Sequence, residues 1–150
     1  MAQAYSIEKH PTAERTPPVI HKASAPKWRT WAGHGMTGLV VLFLTFDSVS
    51  KFINPPQVAQ AFAETGWPIQ MAAVLGTILL SCTALYVIPR TSVLGAILLS
   101  GYLGGAVATH LRLGDPLFSH VLFPVYMGVL AWGGLYLREE RLKALIPLRG

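Results

Sequence analysis

Residues 31–53 read WAGHGMTGLVVLFLTFDSVSKFI. No Asp, Glu, Lys or Arg occurs before Asp47, and only Lys51 follows it within the run. As a helix at 1.5 Å per residue this run is about 35 Å long. About 20 apolar residues suffice to cross the hydrocarbon core of a bilayer. A helix also satisfies every backbone N–H and C=O internally, which lipid requires. Working outward, three further apolar runs occupy 68–88, 92–109 and 121–137, and the run at 92–109 is the shortest. The pattern predicts an all-α polytopic membrane protein, a four-helix bundle.

Composition supports this. Of 150 residues, 52% are hydrophobic and 13% charged, whereas a soluble domain averages about 25% charged. That deficit excludes an ordinary soluble globule. The hydrophobic content equally excludes a disordered chain, which is poor in apolar residues and rich in charge. The formal net charge is +5, but the basic residues flank the apolar runs rather than forming a groove. Lys9, Arg15, Lys22, Lys27 and Arg29 come before the first run, and Arg138, Arg141, Lys143 and Arg149 follow the last. They read as topology signals, not as a nucleic-acid surface. The single cysteine, Cys82, cannot form a disulfide within the chain or do dithiol chemistry.

The basic leader is too long for a secretory signal, so the first run is expected to stay as an anchor. With the N-terminus in the cytoplasm, only Lys51 and Arg112 among the Lys and Arg residues face out. The expected topology therefore has both termini cytoplasmic, in a bacterial inner membrane. Three segments result: a basic, Pro-rich arm at 1–30, the bundle at 31–138 and a basic tail at 139–150. The arm, with Pro11, Pro17, Pro18 and Pro26, is expected to lack structure of its own. Trp28, Arg29 and Trp31 are its candidate partner-docking residues.

Between the first two spans, 54–67 reads as a short interfacial helix. Asn54 would cap it, Pro55 suits its first turn and Gly66 its end. Val58, Ala61 and Phe62 would form its apolar face, with Trp67 as an interfacial anchor. In the third span Gly101, Gly104, Gly105 and Ala108 form a small-residue face at four-residue spacing. Such a face lets helices approach closely, inside the bundle or against a second copy.

Ionisable residues inside a membrane are costly and usually serve a function or a partner. Asp47 and Lys51 lie one turn apart on one face of the first helix, shared with Val40, Phe43 and Asn54. They are either an internal ion pair or part of a ligand or proton site. With Glu64, His110, Arg112, Asp115 and His120 they gather at the outer end of the bundle. That cluster is either a polar pocket roofed by 54–67 or a set of solvated loops. A metal held by His110, Asp115 and His120 is chemically reasonable, but the spacing matches no strong motif and none is expected. A quinone is possible, its carbonyl held by His110 or Tyr102 and its ring walled by Trp132 or Tyr126. There is no Ser-His-acid pattern, phosphate loop or dinucleotide fingerprint, so no catalytic machinery is visible.

Six stretches carry a family resemblance: FDSVSK at 46–51, ETGWP at 64–68, LYVIPRT at 85–91, LGAILLSGYLGGAVATHLR at 94–112, FPVY at 123–126 and LYLR at 135–138. Over about 32–147 the chain resembles DoxX-like membrane proteins. The resemblance implies a four-helix membrane bundle. That family takes its name from a subunit of a thiosulfate:quinone oxidoreductase, and other members are associated with membrane redox complexes. Two functions are then expected. The first is a non-catalytic accessory subunit of a membrane bioenergetic complex, in contact with lipid and with other subunits or copies of itself. The alternative is a quinone-linked oxidoreductase component that uses the outer polar cluster.

Overall fold

The computed structural model describes residues 27–140 and 142, so the arm before Lys27 and most of the tail lie outside the described residues. Five helices follow in order: α1 (Lys27–Ile53), α2 (Pro56–Thr65), α3 (Met71–Val87), α4 (Ser92–Leu113) and α5 (Phe123–Arg138). A π-helical turn, Leu117–Val121, leads into α5. Among the described residues there is no strand.

α1, α3, α4 and α5 form the bundle. Each packs on two neighbours, in the cyclic order α1, α3, α4, α5. The first and last of them start and finish at the same end, and α2 lies across the opposite end. α1, α4 and the helical stretch Leu117–Arg138 are long and apolar enough to cross a membrane. α3 has 17 residues, about 25 Å of helix. With the π-helical turn counted into the last span, α3 is the shortest of the four, a place the sequence assigned to 92–109. That third run extends to Leu113 and so carries His110 and Arg112 on the helix.

The bundle is apolar outside as well as inside. Each helix buries a narrow stripe, on α1 Gly33, Thr37, Val40, Leu44 and Ser48. Leu42, Phe46 and Val129 stand 71%, 73% and 63% exposed on the outer faces. A soluble bundle places charge there, so these faces meet lipid. Two buried hydroxyls return to their own helix: Ser48 Oγ donates to the Leu44 carbonyl and Thr83 Oγ1 to the Leu79 carbonyl, each at 2.8 Å. Tyr86 is fully buried and its Oη donates to the Ala131 carbonyl at 2.8 Å, tying α3 to α5. The Arg138 guanidinium lies 5.4 Å from the Tyr86 ring centroid and donates to the Tyr86 carbonyl at 3.3 Å.

Close helix approach uses glycine, but not the glycines of the α4 face. A Cβ on Gly33 would lie 3.0 Å from the Gly134 carbonyl oxygen, and one on Gly76 3.1 Å from that of Ser48. A Cβ on Gly95 would lie 2.2 Å from the Tyr86 nitrogen. At Gly101, Gly104 and Gly105 a Cβ meets nothing within 4 Å. Among the described residues these three therefore make no close helix contact, and Ala108, one turn beyond Gly104, is exposed. Spacing marks a small face but not the element opposite it.

α1 begins at Lys27, so Trp28 and Arg29, which the sequence places in the arm, are helical and continuous with Trp31, the expected start of the first span. Leu142 is buried in the core cluster, so packing runs past Arg138. Asn54 takes φ +54° and ends α1, leaving Pro55 as the N-cap of α2 with Pro56 in its first turn. Gly66 closes α2 at φ +72°, as its position predicts.

Candidate functional site

α2 reaches across the bundle because its Phe62 is buried and its C-terminus is tied to α4. Arg112 Nη2 donates to the Thr65 carbonyl at 2.7 Å. A cation is favourable at that helix end. Beneath α2 lies a cavity of about 510 Å³ between α1, α4 and α5. Small-molecule sites run from about 300 to 1,000 Å³ and are mostly apolar with a few placed polar groups. This one has that character. Phe43, Phe62, Trp67, Phe123 and Met127 contribute apolar wall, and Asp47, Lys51, Tyr102, Thr109 and His110 contribute polar groups. Phe43 and Phe123 close one side, edge to face with centroids 5.2 Å apart.

Lys51 Nζ contacts Asp47 Oδ2 at 2.6 Å across one turn of α1. Asp before Lys at this spacing is the favourable order on a helix. The Lys51 side chain is 12% exposed and that of Asp47 37%. On α4, His110 Nδ1–H donates to Asp115 Oδ2 at 2.6 Å; the carboxylate partner assigns the proton to that nitrogen. Nε2 is then the ring nitrogen left for another partner, able to accept or hold a proton. The site therefore offers a fixed ion pair, a carboxylate-oriented imidazole and a phenol within an apolar chamber.

Of the seven clustered residues, Asp47, Lys51 and His110 line the cavity. Asp115 orients His110, and Arg112 holds the roof. Glu64 lies outside it, accepting from Gln60 Nε2 at 2.8 Å. His120 also lies outside, its Nδ1 beside Ser119 Oγ and its ring 5.9 Å from that of His110. Among the described residues no three His, Cys, Asp or Glu side chains are placed to hold a metal. Trp132 and Tyr126 are not cavity walls. Trp132 Nε1 donates to Ser100 Oγ at 2.9 Å in an outer groove between α4 and α5, and Tyr126 is exposed. Phe123, Met127 and Trp67 were not singled out as walls; Phe43 was placed on the Asp47 face by helical spacing.

The sequence model of the DoxX-like family matches residues 35–134, two thirds of the chain. The chain belongs to the DoxX-like family. It is a small integral membrane protein whose helices contact lipid. The DoxX-like region contains every residue of the cavity, whereas Trp28, Arg29, Trp31 and Arg138 fall outside it. Comparison with curated proteins and with solved structures finds no match.

The roof gives a direct prediction. Arg112→Ala removes a charge-assisted bond to a helix C-terminus and should loosen α2 without unfolding the bundle. Hydrogen exchange of the 62–67 amides should quicken about tenfold, equal to about 1.4 kcal/mol, with α3 unchanged. Unaltered exchange there would show that Phe62 alone holds the roof.

Proposed function

We propose that this DoxX-like chain is a quinone-linked component of a membrane redox complex. The observation that carries this reading is the apolar cavity under α2 with an ion pair, an imidazole and a phenol on its walls. A quinone is a lipid-soluble ring with carbonyl acceptors, and it supplies paired electron and proton carriage when bound. Tyr102 Oη–H would donate to one carbonyl, and His110 Nε2–H to the other when the ring carries both protons, its Nδ1–H staying on Asp115. Asp115 fixes the His110 ring, and α2 limits access of water. The positive-inside distribution supports the cavity facing the outer side of a bacterial inner membrane, with both ends of the chain in the cytoplasm.

The second reading is a non-catalytic accessory subunit. Trp28 and Trp31, 67% and 78% exposed at the head of α1, favour it as partner contacts. One experiment separates the two. The full chain is extracted gently from native membranes, and co-eluting polypeptides and quinones are quantified. The quinone reading expects near-stoichiometric quinone, lost on His110→Ala. Stoichiometric partners with no quinone would overturn it and leave the accessory role.

A further inference from the structure

We infer that Gly101 and Gly105 form the floor of the cavity and set its ligand specificity, admitting a planar ring. This rests on the quinone reading and narrows it. Glycine inside a helix costs backbone entropy. Gly33, Gly76 and Gly95 offset that cost by close contact with a neighbouring helix, but a Cβ at Gly101 or Gly105 meets nothing within 4 Å. Both positions line the cavity. Both are exposed and the space in front of them is open, so this part of the floor reaches the rim of the cavity. Four residues of helix span about 6 Å, so the two glycines expose a bare strip of backbone about as long as a six-membered ring. Phe43 and Phe123 belong to the walls of the same chamber. A flat ring fits against bare backbone and aromatic faces, whereas a branched or folded chain gains little from a flat strip.

Gly104 supplies the internal control. It also meets nothing within 4 Å, but it lines the outer groove with Gly128 and Trp132 rather than the cavity. If the α4 small-residue face served only contact between copies, Gly104 would matter as much as the other two.

The test uses the full chain in lipid nanodiscs. Binding of decylubiquinone, menadione and farnesol, an isoprenoid without a ring, is measured for wild type, Gly101→Leu, Gly105→Leu, Gly104→Leu and the milder Gly101→Ala. Circular dichroism checks folding. The wild type should bind both quinones and prefer them to farnesol at least tenfold. Gly101→Leu and Gly105→Leu should weaken quinone binding at least tenfold, Gly101→Ala by a few fold, and Gly104→Leu by less than twofold. A wild type that binds neither quinone overturns the quinone reading and this inference together. Wild-type binding retained in Gly101→Leu and Gly105→Leu overturns this inference alone. So does equal binding of farnesol, or a change in oligomeric state with unchanged quinone affinity. Failure of Gly101→Ala to fold would contradict the open floor and overturn it too.

Discussion

Gly95→Ala should destabilise the bundle severely. A single methyl group at this position would lie 2.2 Å from the Tyr86 nitrogen, 2.5 Å from its Cα and 2.7 Å from the Leu85 carbonyl carbon. All three are backbone atoms, so no side chain can rotate away, and the α3–α4 hairpin must open. That hairpin is held tightly: Thr91 Oγ1 donates to the Leu85 carbonyl at 2.8 Å and the Gly95 N–H to the Thr91 carbonyl at 2.8 Å. Tyr86 cannot follow the shift without losing its bond to Ala131 and its contact with Arg138. Overpacking typically costs about 1–3 kcal/mol and each lost hydrogen bond about 1 kcal/mol. Together they give a loss of about 4 kcal/mol, a large share of the stability of a small domain. Reversible unfolding in mixed micelles measures it. Gly38→Ala is the control: a Cβ there meets nothing within 4 Å, and replacing helical glycine by alanine should stabilise by up to about 1 kcal/mol. Gly95→Ala within about 1 kcal/mol of wild type would mean that the two helices do not touch at Gly95.

The contrast between Gly95 and Gly101 shows where sequence reading stopped. Apolar runs of bilayer length and a Gly66 stop were legible, because span length and a left-handed cap are local requirements. Asp47, Lys51 and His110 stood out because charge in lipid is costly. The apolar walls did not. In a soluble bundle, polarity separates the outside from the core, but here Phe46 faces lipid and Phe43 lines the cavity with the same chemistry. Small residues were equally ambiguous, since four-residue spacing occurs both where helices touch and where a cavity replaces the neighbour. Trp132 and Tyr126 were plausible ring walls by type, yet helical phase turns them outward. The helix ends missed by a few residues, at Lys27 and Leu113, decide whether Trp28 and Arg112 belong to a helix or a loop.

Asp47 and Lys51 should show strong and unequal single-site effects that largely cancel in the double variant. In Asp47→Leu the Lys51 ammonium, 12% exposed, keeps only the Asp47 backbone carbonyl at 3.5 Å. Orphaning a charge in a buried pair costs about 3–5 kcal/mol, and this side chain is buried enough to bring a loss of about 3 kcal/mol. Lys51→Met orphans the Asp47 carboxylate instead. That group is 37% exposed toward the cavity, where water or a ligand can solvate it, so the loss should be nearer 1 kcal/mol. The double variant Asp47→Leu/Lys51→Met removes both charges and should recover to within about 1 kcal/mol of wild type, because a well-packed apolar pair can replace a buried ion pair. A double-mutant cycle in mixed micelles measures the coupling. The recovered fold then isolates the chemistry. If the pair only holds α1 in shape, the double variant binds decylubiquinone as the wild type does. If the pair polarises the ligand's head, the bundle stands but affinity falls at least tenfold, about 1.4 kcal/mol. The placement of Asp47 on the cavity wall rather than between two packed helices predicts the second result.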